Sequence, residues 1–218
     1  YFKNINKNKI DGIVSSNSKL VKWFWEDVKP QDWMDNWKPY FKDISIDDKV
    51  VVVPDWSNRC DNDKIILKIN PGMAFGTGHH ETTELMIRFI LKYHRKDMNV
   101  LDLGTGSGIL SILAFKLQSK KIYSIDNDPV VENNFIKNML INNSSASFYI
   151  DSCFNIKDFA YDLILANINK NILIDLIPLM VSRKGFIILS GILESDYDEV
   201  LDIINTNDFI IVDFNKIN

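Results

Sequence analysis

Val100-Leu101-Asp102-Leu103-Gly104-Thr105-Gly106-Ser107-Gly108-Ile109-Leu110 sets an apolar strand against a turn of three glycines and then an apolar helix start. Glycine lets the backbone turn tightly and lets a ligand come close to it. The helix that follows presents unpaired N–H groups at its first turn. A dinucleotide-binding turn wants G-x-G-x-x-G. Here the spacing is G-x-G-x-G, and Ile109 stands where the last glycine of that fingerprint belongs. Asp102 adds a carboxylate that repels a pyrophosphate and attracts a sulfonium or an ammonium. The turn therefore favours S-adenosylmethionine over a nicotinamide dinucleotide. The plain alternative is a glycine turn kept for helix–strand packing.

Outward from the turn, strands and helices alternate. A helix is expected over residues 82–93, with Leu85, Met86, Phe89 and Ile90 on one side. A strand over 99–103 leads into the turn, and a helix follows over 109–117. A strand over 121–125 ends at Asp126, and Pro129 sits where the next helix starts, running to about 141. Strands are expected at 147–150, 161–166, 185–189 and 209–214, with helices at 171–181 and 195–205. Such alternation predicts an α/β fold, a doubly wound, Rossmann-like parallel sheet with helices on both faces. Upstream, short strand-like runs lie at 49–53 and 64–69. Residues 1–20 read as a polar lead-in, residues 21–28 as strand-like, and residues 31–41 as a short helix carrying Trp33, Trp37, Tyr40 and Phe41.

Two further residues fall at strand ends, where ligands sit in open α/β sheets. Asp126 lies 22 positions after Gly104, close to the spacing at which an acidic residue takes ribose hydroxyls. Its plain alternative is a helix cap. Asn167 closes the run Leu163-Ile-Leu-Ala-Asn167. An amide there accepts a hydrogen bond from an amine nucleophile and holds its lone pair toward a methyl donor. A turn or cap asparagine is the alternative. His79, His80 and Glu81 are adjacent and lack a second ligand set, so no metal site is expected.

The chain has 218 residues, 46% hydrophobic and 25% charged, with a net charge of −4. These values suit one globular α/β domain with a small appendage. The acidic balance weighs against a general nucleic-acid binder. Cys60 and Cys153 read as reduced thiols, and no membrane span or leader is visible. Because the chain starts at Tyr1, it is expected to be a fragment. The abundance of Ile, Asn and Lys is read as compositional bias without a functional role.

The run Asn70-Pro-Gly-Met-Ala-Phe-Gly-Thr-Gly-His-His-Glu-Thr-Thr83 resembles the signature of the ribosomal protein L-eleven methyltransferases. Asp32-Trp-Met-Asp-Asn-Trp-Lys-Pro-Tyr-Phe41, the glycine turn, Ala166-Asn-Ile168 and Leu189-Ser-Gly-Ile-Leu193 match as well. The resemblance covers residues 21–214. It implies a seven-stranded sheet whose last strand is antiparallel, cofactor contacts at Thr83, Gly104, Asp126 and Asn167, and a loop over 75–80 folding across the cofactor. It implies methylation of lysine ε-amines and of an α-amine of a large-subunit ribosomal protein, a reaction for which the strand-end amide of Asn167 is the expected catalytic residue. A monomeric, cytoplasmic protein that engages neither nucleic acid nor membrane is expected. A same-fold enzyme acting on another protein or on RNA is the alternative, with a nicotinamide oxidoreductase and a non-catalytic scaffold more remote.

By this reading residues 1–28 are the remnant of an N-terminal substrate-recognition domain, 29–42 a linker helix and 43–218 the methyltransferase domain. The chain departs from the family at Asn70, where Asp is usual, at His79, where Thr is common, and at Thr105, often Cys. It also stops before the final strand the family would have.

Overall fold

The computed structural model describes residues 41–70, 81–180 and 185–217. The expected strand over 21–28, nearly all of the expected helix over 31–41, and the loop over 75–80 lie outside them. The chain divides into two compact units, Tyr1–Phe41 and Lys42–Asn218, and the second holds every strand and helix of the described residues.

Three short strands open this second unit. β1 (Ile44–Ile46) and β2 (Val50–Pro54) form an antiparallel hairpin. Its turn places both Asp47 (φ 47°) and Asp48 (φ 52°) in the left-handed region, which matches the twist of paired strands. β3 (Ile65–Ile69) joins β2 in parallel. All five residues of β2 are buried, as befits a central strand.

Helix α1 (Glu81–Tyr93) leads to the main sheet. There β4 (Asn99–Leu103), β5 (Lys121–Asp126), β6 (Ser147–Ile150), β7 (Leu163–Asn167) and β8 (Phe186–Ser190) line up in the order β6-β5-β4-β7-β8. Every pairing in it is parallel. The order reverses at β4, so β5 and β7 flank the strand that carries the glycine turn. This is the switch point at which doubly wound sheets take ligands.

The sheet is covered on both faces because its central strands are apolar on both. Val100, Leu163 and Leu165 point to one side and pack with Met86, Ile90, Ile112, Leu113 and Phe135. Their neighbours Leu101, Leu103, Ile164 and Ala166 point to the other and pack with Leu173, Leu176, Ile177 and Val200. The first layer comes from α1, α2 (Ile109–Lys116) and α3 (Glu132–Ile141); the second from α4 (Lys170–Leu176) and α5 (Tyr197–Thr206). Each fully buried aliphatic side chain contributes about 1.5–3 kcal/mol.

Two expectations are corrected, and a third, the strand count, is met in part. The helix expected over 171–181 is α4 followed by a 3-10 turn at Ile177–Met180. Pro178 has no N–H to continue the α-helical ladder. The strand expected over 209–214 does not form. That run joins no ladder, and Ile210 and Val212 are exposed, so no buried face selects a register. Asp213 turns instead to the Lys92 ammonium (2.6 Å) and the Tyr93 hydroxyl (2.8 Å), and Phe214 packs on Tyr197. Lastly, among the described residues the main sheet has five parallel strands rather than seven, and no antiparallel last strand joins it.

Candidate functional site

The glycine turn begins at the carboxyl end of β4. Gly104, with φ 66°, donates its N–H to the Ile125 carbonyl at 2.8 Å, so the turn crosses the end of β5. A Cβ on Gly104 would stand 2.3 Å from Cγ2 of Ile168, the residue after Asn167. The turn therefore lies directly against the end of β7. Gly108, at φ 80°, caps α2 in the left-handed region, and a Cβ there would collide with the Phe135 ring. Ile109 is buried in the core, where a dinucleotide-binding turn would want a third glycine.

Asp126 reaches back across the switch point. Its Oδ2 accepts the Gly106 N–H at 2.9 Å, and its Oδ1 accepts the Asp128 N–H at 3.0 Å. A carboxylate offers about four lone-pair sites, so both oxygens keep capacity for further donors. The side chain is half-buried.

Asp102 lies beneath the turn and is 1% exposed. Its Oδ2 accepts the hydroxyls of Thr105 and Ser111, each at 2.6 Å. The Ser111 proton is thereby spent, so Ser124 donates to Ser111 at 2.8 Å. Thr105 thus supplies a hydroxyl donor to this carboxylate. Oδ1 is buried and has no hydrogen-bond partner among the described residues. Burial pushes the Asp102 carboxyl up to about 6; the hydroxyls of Ser111 and Thr105 oppose this, and the charge of Asp126 adds to it.

Asn167, at the end of β7, is half-buried and sits opposite Ser190 of β8. Its Nδ2 donates to the Thr83 hydroxyl at 3.5 Å, a long bond across 84 residues of sequence. Its Oδ1 is buried and unpartnered among the described residues. Thr83 is fully buried in α1, and Ser190 donates to the Thr82 carbonyl at 3.4 Å, which ties the start of α1 to β8.

Thr83, Gly104, Asp126 and Asn167 thus form a connected set: Thr83 touches Asn167, the residue after Asn167 abuts Gly104, and Asp126 grips Gly106. Among the described residues, two buried oxygens at these strand ends, Asp102 Oδ1 and Asn167 Oδ1, have no hydrogen-bond partner, and both are acceptors. A ligand carrying cationic or N–H donor groups complements them, whereas a phosphate does not. These residues fit S-adenosylmethionine.

Sequence reasoning misses one group. Asn134, Asn138 and Asn142 on and just after α3 bind the β3 edge and the glycine turn. Their spacing of four is a signal, but the general abundance of asparagine hides it. Among the described residues, no three or more His, Cys, Asp or Glu side chains gather as a metal site. Nor is any helix among them long and apolar enough to cross a membrane. Cys60 and Cys153 are free thiols.

A family model described as ribosomal protein L11 methyltransferase (PrmA) matches residues 2–218. The chain is 38% identical over 191 residues to the ribosomal protein L11 methyltransferase of Ruminiclostridium cellulolyticum, which covers 84% of this chain and 60% of that protein. With the enzyme of the same name from Clostridium perfringens it shares 34% identity over 196 residues, covering 88% and 63%. A crystal structure of the ribosomal protein L11 methylase from Lactobacillus delbrueckii subsp. bulgaricus aligns with a TM-score of 0.76 at 31% identity, over 82% of this chain and 94% of that one. The chain spans about three fifths of the length of the curated relatives it matches.

Proposed function

The chain belongs to the ribosomal protein L11 methyltransferase family, and from that premise we propose that it methylates lysine ε-amines, an α-amine or both on a large-subunit ribosomal protein. The single observation that carries this reading is the Asn167 amide. Its Nδ2 donates to Thr83, and its buried carbonyl oxygen, without a partner among the described residues, belongs to the strand end beside the glycine turn.

S-adenosylmethionine supplies a methyl group already made electrophilic by its sulfonium. Thr83, Gly104, Asp126 and Asn167 would hold it. Asp126 takes hydroxyl donors through its remaining lone pairs while still fixing Gly106. Asp102, charged above a pH of about 6, gives the floor of the site a negative potential that favours a cation. Asn167 Oδ1 accepts an N–H of the incoming amine and so aims the nitrogen lone pair. Alignment of this kind can be worth about 7–11 kcal/mol of the barrier. The amine must arrive neutral, although a free lysine has a pKa of about 10.4. An apolar surround favours the neutral form by making the charged one hard to desolvate.

In domain terms, residues 43–218 carry the catalysis, residues 29–42 link it to substrate recognition, and residues 1–28 belong to the recognition side. The protein acts as a cytoplasmic monomer. The test is incubation of the full chain with methyl-labelled S-adenosylmethionine and either purified large-subunit ribosomal proteins or ribosomal RNA. Label is expected in a ribosomal protein, on amines located by mass spectrometry. Label confined to RNA, or none in either arm, overturns the reading.

A further inference from the structure

Asn134, Asn138 and Asn142 stand four residues apart, the first two within α3 and the third at its C-cap, and so form one row along the helix. The row faces the edge of β3 that is not paired with β2. Asn142 behaves there like a peptide of a further strand: its Oδ1 accepts the Lys68 N–H at 2.9 Å, and its Nδ2 donates to the Lys68 carbonyl at 2.6 Å.

Asn138 has no exposed surface. Its Oδ1 accepts the Asn70 N–H at 2.8 Å. Its Nδ2 donates to the Ser107 carbonyl at 2.9 Å and to Asn134 Oδ1 at 2.8 Å. A flipped amide would set donor against donor at Asn70 and acceptor against acceptor at Ser107, so the orientation is dictated by its partners.

We propose that Asn138 is a positioning residue of the cofactor site, holding the Ser107 carbonyl of the glycine turn to the exit of β3 at Asn70. This rests on the reading of that turn as an S-adenosylmethionine site. The turn is gripped from two sides at adjacent residues. Asp126 holds the Gly106 N–H from the β5 side, and Asn138 holds the Ser107 carbonyl from α3. The second grip orders the turn before a ligand arrives. Without it, binding must supply the ordering itself, and affinity falls.

The row contains its own control. Asn138→Ala and Asn142→Ala each delete a buried amide that satisfies backbone groups at β3 and its exit, so both lower the melting temperature. Only Asn138 touches the turn. Isothermal titration of the full chain with S-adenosylmethionine and with S-adenosylhomocysteine reads the difference. Asn138→Ala is expected to raise both dissociation constants about tenfold or more, and Asn142→Ala to leave them within about twofold of wild type. In kinetics the loss falls on the cofactor KM, with kcat held.

Equal weakening by the two variants overturns the assignment, as does an Asn138→Ala constant within about twofold of wild type. If Asn138→Ala does not fold, Asn138→Ser, which keeps a hydroxyl in the gap but cannot span it, is judged by the same criteria. A wild-type chain that binds neither ligand sinks the cofactor reading itself, and the wild-type titration alone reveals that case.

Discussion

Gly104 and Ile168 are packed so closely that a methyl group on the glycine would stand 2.3 Å from the isoleucine Cγ2. This contact joins the two parts of the site, because Ile168 follows Asn167 directly. A side chain at Gly104 must displace the Ile168 side chain, next to the residue that carries the amide. Gly104 also sits at φ 66°, where an L-residue is strained by about 1–2 kcal/mol. Gly104→Ala is expected to lower stability by about 2–4 kcal/mol in urea denaturation, strain and overpacking together. In titration it should bind cofactor weakly or not at all. A variant with wild-type stability and affinity would show that the turn does not abut β7.

In the proposed mechanism Thr83, fully buried, also bears on the reaction through Asn167, whose Nδ2 donates to its hydroxyl. Thr83→Val keeps its shape and removes the acceptor for Asn167 Nδ2, freeing the amide to turn. Misplacement of an aligning group by about 1 Å can cost around a hundredfold. Asn167→Ala is expected to lower kcat about a hundredfold or more, and Thr83→Val about tenfold. The pair should be coupled: Thr83→Val added to Asn167→Ala should cost little more than Asn167→Ala alone. Fully additive losses in the double variant would place Thr83 in a separate role.

Most of the main sheet is legible in the sequence because β4, β7 and β8 are apolar runs flanked by turns and helices of ordinary length. Asp126 and Asn167 are legible for a related reason: their place at strand ends follows from the pattern alone. The asparagine row along α3 is not. Its partners are backbone groups of Lys68, Asn70 and Ser107, 31 to 74 residues away, and a backbone group leaves no mark in a sequence. In a chain rich in asparagine the spacing is easy to discount. The run at 209–214 misleads for the opposite reason. Its residues have strand character, but a strand exists only with a hydrogen-bonded neighbour, and propensity does not supply one.

Asp102 makes both stability and binding depend on pH, in opposite directions. Its carboxyl is pushed from 3.8 up to about 6 in the folded chain, chiefly by burial. Between those values the native state binds a proton that the unfolded state has lost, so stability falls as pH rises. The contribution is full below 3.8 and gone above about 6, on the order of 3 kcal/mol in all. Urea denaturation of wild type and Asp102→Asn between about pH 4 and pH 7 should show this difference, since the amide does not titrate. Binding of S-adenosylmethionine runs the other way, because the charged carboxylate favours the cation, and affinity should rise through about pH 6. A stability difference independent of pH would exclude Asp102 as the titrating group.

Asn70 stands where relatives by resemblance carry Asp, and its surroundings suit the amide. Asn70 Nδ2 donates to Asp55 Oδ2 at 2.6 Å, and that same oxygen accepts Lys137 at 2.8 Å. Asn70 Oδ1 lies 3.3 Å from the donating Nδ2 of Asn134. Asn70→Asp would set one carboxylate against another and replace a donor by an acceptor. A half-buried like-charge contact of this kind, with one hydrogen bond lost, is expected to cost about 1–3 kcal/mol. Asp55→Asn in the same chain restores a donor–acceptor pair with the polarity reversed, and Lys137 then faces the new carboxylate. The double variant should therefore recover most of the stability that Asn70→Asp loses, while Asp55→Asn alone should be destabilising. Melting temperatures of the four chains complete the cycle. Losses that simply add would mean that the two side chains do not act as a pair, and that the residue at 70 is chosen for something other than Asp55.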